Sequence, residues 1–139
     1  MPLNVVVDTN VFISSFWGGK PREIIDLWSS GEIILCLSDD ILKEYLEVMI
    51  RLKLSAGKID KFISLFREKH FIEAINPTHH FEIIKDDPDD NMFLDCAVAI
   101  EADFIISGDK HLLNLKSFKD IKIVSPADFV VLYNQISRG

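Results

Sequence analysis

Leu3-Asn4-Val5-Val6-Val7-Asp8-Thr9-Asn10 is an apolar strand that ends abruptly on an acid, and Phe104-Ile105-Ile106-Ser107-Gly108-Asp109 nearly repeats it about 100 residues later. In an open parallel sheet, side chains that leave the carboxyl ends of the strands meet in one crevice. Two carboxylates delivered there repel each other and raise each other's pKa unless a cation lies between them. With further acids aimed the same way, a Mg²⁺ or Mn²⁺ site is the simplest reading of the pair.

The segments between the two blocks alternate in character. The first strand, about Asn4 to Val7, leads to a short helix around Val11 to Phe16 that Gly18-Gly19 breaks. Pro21 then opens a helix over Arg22 to Ser29, in the first-turn position where a missing amide costs nothing, and Gly31 ends it. Ile33 to Leu37 is the continuous apolar run of a strand covered on both faces. Ser38-Asp39-Asp40 reads as an N-cap followed by acids that favour the helix dipole, which predicts a helix to about Leu52. A further amphipathic helix, about Ser55 to Lys69, places Ile59, Phe62, Ile63 and Phe66 on one face. Phe71 to Ile75 reads as an edge strand and His79 to Lys85 as loop or short strand. Pro88 opens a helix to about Ala102 with Asp87 as its N-cap. A strand from Phe104 to Ser107, a short helix around His111 to Leu115 and a strand from Ile121 to Val124 follow. Pro126 starts a closing helix with Phe129, Val130 and Tyr133 inward. This alternation predicts an α/β fold: one domain over residues 1–139, three αβα layers around a mostly parallel sheet of four to five strands.

Composition narrows the function. A net charge of −7 is wrong for a protein that coats duplex nucleic acid through a basic face. Contact with a polyanion would have to be local, through metal ions and a few of Lys20, Arg22, Arg51, Lys53 and Lys110. No apolar run approaches the ~18 residues of a membrane span. Met1-Pro2-Leu3-Asn4 does not begin a signal peptide, so a cytoplasmic protein is expected. Cys36 and Cys96 both sit in apolar patterns and read as buried free thiols.

Four acids carry the chemistry. Asp8 and Asp109 end apolar strands, although either could merely cap the helix that follows it. Glu44 falls beside the buried arc formed by Ile41, Leu42, Tyr45, Leu46, Val48 and Met49, whereas Lys43 and Glu47 point to the opposite pole. Asp90 shares a helical face with Phe93, Leu94 and Ala97, so its carboxylate lies within an apolar stripe. An unpaired charge there costs several kcal/mol in practice, so a partner is expected, and a cation is the natural one. Asp89 reads as a first-turn acid, Asp86 and Asp87 as loop and cap, and Asp95 as solvated. Thr9, Asn10 and Ser107 are the neutral neighbours that could orient water, substrate or a carboxylate. His79-His80 cannot form a zinc site, because adjacent histidines do not share a helix face and no further ligand lies at the right spacing. There is no phosphate-cradling glycine loop, no Gly-x-Ser-x-Gly elbow and no Cys–His pair. A dehalogenase-type phosphatase would want a second aspartate where Asn10 stands.

Val6-Val7-Asp8-Thr9-Asn10, Ser38 through Glu44 to Val48, Asp87-Pro88-Asp89-Asp90-Asn91-x-Phe93-Leu94 with Ala97, and Ala102-Asp103 followed by Ile106-Ser107-Gly108-Asp109-Lys110-x-Leu112-Leu113 together resemble the motifs of the PIN-domain family, and more narrowly its VapC-type toxins and the related group of PIN-family toxin components. The resemblance spans nearly the whole chain. It implies a small metal-dependent endoribonuclease acting on single-stranded RNA, commonly the toxin of a toxin–antitoxin pair and often a homodimer. In it, Asp8, Glu44, Asp90 and Asp109 take the positions of the family's acidic quartet, both as metal ligands and as the catalytic set. The alternative within the same fold is a module that binds RNA or protein without cutting.

Overall fold

Val5, Val6 and Val7 point alternately to the two faces of strand β1 (Leu3–Val7), and none is more than 1% exposed. A strand buried on both sides needs helices over both faces of its sheet, which gives the three layers expected from the sequence. The computed structural model describes residues 2–68, 71–85 and 88–138, the last without its side chain. The expected loop and cap at Asp86 and Asp87 lie outside the described residues.

After β1 come α1 (Thr9–Ser14), a 3₁₀ turn (Ser15–Trp17), α2 (Gly19–Ser29), β2 (Ile33–Leu37), α3 (Asp39–Arg51), α4 (Ala56–Arg67) and β3 (Ile72–Ala74). A second 3₁₀ turn (Pro88–Asp90) leads into α5 (Asn91–Ile100), then β4 (Phe104–Ile106), α6 (Lys110–Leu113), β5 (Ser117–Phe118), β6 (Ile121–Val124) and α7 (Pro126–Arg138). The described residues form a six-stranded sheet in the order β3-β2-β1-β4-β6-β5, parallel except for β5 against β6. The sheet thus has one strand more than the four to five expected. β5 is two residues long, too short for any alternation of polarity to announce it.

The strand order contains the feature that matters for function. The chain builds β2 and β3 outward on one side of β1, then returns to place β4 on the other side. Ligand crevices in parallel sheets open at such a reversal. The register pairs Val7 with Ile106, so Asp8 and Ser107 leave adjacent strands side by side, and the Asp8 amide donates to the Ile106 carbonyl at 3.0 Å.

Helix boundaries follow their caps. Ser38 and Ser55 accept from the amides of Ile41 and Lys58, which starts α3 and α4 where the sequence placed them. Gly18, at φ 94°, is the N-cap of α2, so Pro21 is its third residue and not the opening one. Gly31 ends that helix at φ 83°, and the ring of Phe71 fills the space a Cβ there would need. Phe12 joins the layers: its ring stacks on Tyr45 of α3 at 4.2 Å and packs on Phe62 of α4 at 4.9 Å and Trp28 of α2 at 6.3 Å. Contacts of this kind add about 0.5–1.5 kcal/mol each beyond simple burial, and they fix α3 against the segment that carries Asp8.

Residues 79–85 form neither helix nor strand. α5 holds them instead. Asn91 accepts from the amides of Ile83 and Ile84 and donates to the carbonyls of Ile84 and Pro88. One turn later Asp95 accepts from the Phe81 amide at 2.7 Å and meets the His80 ring at 3.1 Å. Asp95 is 7% exposed, so the expectation that it is solvated is wrong. Its spacing of four from Asn91 put two polar groups on one helix face, where they replace the ladder partners that this segment lacks.

Candidate active site

Each candidate acid reaches the crevice by a different route. Asp8 caps α1: one carboxylate oxygen accepts from the Val11 amide at 2.8 Å and the other from the Ser107 hydroxyl. Burial raises its pKa above the ordinary aspartate value; hydrogen bonds from Ser107, Val11 and Gly108 act against that rise, and nearby Asp109 adds to it. Asp109 caps α6, accepting from the His111 amide at 2.7 Å, while its own amide donates to the Ser107 hydroxyl at 2.9 Å. The capping and cleft readings of these two acids therefore describe one placement.

Glu44 is half-buried on α3 and accepts from the Thr9 hydroxyl at 2.6 Å. Next to it, the buried Tyr45 hydroxyl donates to the Val7 carbonyl. The residues on either side of Asp8 thus each grip α3, one through Glu44 and one through Tyr45. Asp90 ends the 3₁₀ turn before α5 and is 8% exposed. The helix expected to open at Pro88 begins only at Asn91, so Asp90 stands at its N-cap and not on its face; Phe93, Leu94 and Ala97 of α5 are buried.

These routes end in one cleft of about 230 Å³, lined by Asp8, Thr9, Asn10, Glu44, Asp90 and Asp109 together with Glu47, Val48, Arg51, Asp89 and Phe93. Glu47 and Asp89 are additions to the expected set. The helical wheel had sent Glu47 to the far pole, but α3 lies along the cleft wall so that residues on both sides of Glu44 border it. Ser107 lies just behind the lining, fully buried. Among the five candidate phosphate-binding cations, Arg51 lines this cleft and the other four are outside its lining. Lys20 and Arg22 form exposed ion pairs with Glu23 and Asp26 on α2. Lys53 sits in the turn after α3 at φ 53°, and Lys110 opens α6.

The lining supplies carboxylate oxygens and, among the described residues, no thiol or imidazole, which is the donor chemistry of a hard divalent cation. As placed, no three described His, Cys, Asp or Glu side chains are close enough to hold an ion. The acids share a cleft, not a finished coordination shell. Cys36 and Cys96 are free and buried away from it. Burial pushes the Cys96 thiol up to about 12 and raises that of Cys36 further.

An acidic cleft at the switch point of a parallel sheet, fed by two strand ends, a helix and the turn before another helix, defines this molecule's class. The chain belongs to the PIN-domain family, whose model matches residues 4–111. PIN domains are generally nucleases. The chain is 34% identical over 143 aligned positions to the uncharacterised protein MJ1680 of Methanocaldococcus jannaschii, covering 92% of this chain and 90% of that one. Its fold is similar to that of the PIN domain endonuclease Utp24, with a TM-score of 0.52 and 23% identity over 89% of this chain and 85% of the other. Among the described residues no helix is long and apolar enough to cross a membrane.

Proposed function

We propose that the protein is a metal-dependent endoribonuclease that hydrolyses single-stranded RNA, and that it serves in the cytoplasm as the toxin of a toxin–antitoxin pair, restrained by a cognate antitoxin and able to form a homodimer. The observation that carries the nuclease reading is the meeting of Asp8, Glu44, Asp90 and Asp109 in one cleft. The toxin reading rests on the resemblance of the sequence motifs.

Asp8, Asp90 and Asp109 would hold a Mg²⁺ or Mn²⁺ ion, with Glu44 completing the set. Such an ion supplies activation of a water and stabilisation of the departing oxygen. Ser107 keeps Asp8 and Asp109 at a fixed separation, because one hydroxyl serves both. Thr9 sets the direction of Glu44. Asn10, exposed at the cleft, would orient water or a substrate oxygen. Arg51 offers the cation that a phosphate needs among so many acids.

The test is cleavage of total RNA and of a synthetic single strand by wild type and Asp8→Ala, with Mg²⁺, Mn²⁺ or EDTA. The expected result is cleavage by wild type alone, abolished by EDTA. Cleavage that persists in EDTA refutes metal dependence, and equal cleavage by both proteins refutes the site. Induced expression tests the toxin role: growth arrest by wild type and its absence with Asp8→Ala is expected, and unimpaired growth under wild-type expression contradicts it.

A further inference from the structure

Trp17 is 65% exposed although its backbone is firmly held. Within its 3₁₀ turn the Ser15 hydroxyl donates to the Phe12 carbonyl at 2.5 Å, and the Gly18 amide donates to the Ser15 carbonyl at 3.3 Å. The preceding Phe16 packs on Phe62 at 4.3 Å. The indole is therefore presented to solvent by a fixed turn. The Lys58 ammonium lies 5.5 Å from its ring centroid. Lys58 also lines, with Lys61 and Arg22, a groove of about 160 Å³ between α2 and α4 whose apolar wall is Phe16, Phe62 and Leu65. Asp26 is the acid in that lining and it pairs with Arg22. In a chain of net charge −7, this is a local excess of positive charge beside an exposed aromatic ring.

The acidic cleft poses a problem that this patch answers. Its carboxylates repel a polyanion, so affinity for a nucleic acid has to come from elsewhere on the surface. Two short paths join the patch to the cleft. α1 and the turn rise by about 15 Å between Asp8 and Trp17. Along the other path, Lys58 follows Arg51 of the cleft lining by seven positions.

We propose that Trp17, Lys58 and Lys61 form a binding subsite for single-stranded nucleic acid, in which a base stacks on the indole and the lysines hold its flanking phosphates. The strand would occupy this subsite while a phosphodiester a few nucleotides away lies in the acidic cleft. The inference rests on the nuclease reading and adds where that substrate is gripped. Stacking on a ring bordered by cations tolerates any base. The apolar area offered is the exposed indole and a groove of only about 160 Å³ bordered by charges, which suits a stacked base better than the broad apolar face of a protein partner.

The test is titration of a short oligouridine into the protein in EDTA, which prevents metal-dependent cleavage, while tryptophan emission is followed. Trp28 is 1% exposed, so quenching by acrylamide reports on Trp17. Oligouridine should quench the emission and shield it from acrylamide. Because these variants lack the reporting indole, their affinity is read from the fluorescence anisotropy of a dye-labelled oligouridine: Trp17→Ala should weaken binding about tenfold, with Trp17→Phe recovering most of the loss. Lys58→Gln with Lys61→Gln should lower the slope of log affinity against log salt by about 1.4, or 0.7 for each phosphate contact. Trp17 that stays open to acrylamide at saturating oligouridine, or unaltered affinity in Trp17→Ala, overturns the proposal and leaves the patch to a protein partner. The two readings fail separately. Shielding of Trp17 without RNA cleavage in Mg²⁺ or Mn²⁺ refutes the nuclease, whereas cleavage with Trp17 unshielded refutes the subsite.

Discussion

The Ser107 hydroxyl donates to the carboxylate of Asp8, a residue 99 positions away in the chain, and accepts from the amide of Asp109. One oxygen therefore ties together the ends of β1 and β4. It does so because the register leaves Asp8 and Ser107 next to each other beyond the Val7–Ile106 pair.

Ser107→Ala removes both contacts at a fully buried position. It leaves the Asp109 amide and one Asp8 oxygen without this partner, a loss of about 1–3 kcal/mol. Thermal melts should show the destabilisation, and RNA cleavage should fall even where the variant is fully folded. Undiminished cleavage would mean that the spacing of Asp8 and Asp109 is set by something else.

Asp8 carries a linkage with a definite sign. Its folded-state pKa is raised, chiefly by burial. Its contribution to stability is fully present below the ordinary aspartate pKa, where both states are protonated, and is lost as pH rises through the folded value. Without metal, wild type should therefore lose stability over that interval relative to Asp8→Asn. The amide of Asn can still cap Val11 and meet Ser107, but it carries no charge. Asp8→Asn should be more stable than metal-free wild type at pH 7, and inactive. Urea unfolding at several pH values measures the difference.

Asn91 and Asp95 hold residues 80–84 through side chains alone. Asn91→Ala removes four hydrogen bonds in one step and should cost about 2–6 kcal/mol, given roughly 0.5–1.5 kcal/mol per bond. Amide exchange at Ile83 and Ile84 should rise well above that of the sheet. Protection equal to wild type would show that the packing of Phe81 on Phe118, at 5.1 Å, suffices to hold the segment.

Both thiols are buried, with pKa values pushed far above neutrality. Neither Cys36 nor Cys96 should react with a thiol reagent at pH 7 until the protein is unfolded, and then both should. Rapid labelling of the native protein would contradict their burial.

The sheet was legible because β1, β2 and β4 are apolar runs with no competing helical period, and because Ser38 and Ser55 cap where capping residues are expected. The acidic positions were legible for a related reason: Asp8 and Asp109 stand where strands must end, and Asp90 interrupts an apolar stripe. Three features were hidden. β5 gains its identity only by pairing with β6. Glu47 borders the cleft through the lie of α3, which a helical wheel does not encode. Asp95 appeared solvated because the segment it satisfies has no periodicity of its own. Local pattern reports burial against a regular neighbour; it is silent where the neighbour is an irregular strand of backbone.

Asp90→Asn addresses the central claim most directly, because it keeps shape and burial while removing one charge from the cleft. Initial rates on a synthetic single-stranded RNA in Mn²⁺ should fall at least a hundredfold, with thermal stability equal to or above that of wild type. An Asp90→Asn protein that cuts at the wild-type rate would show that the gathered carboxylates are not the catalytic centre.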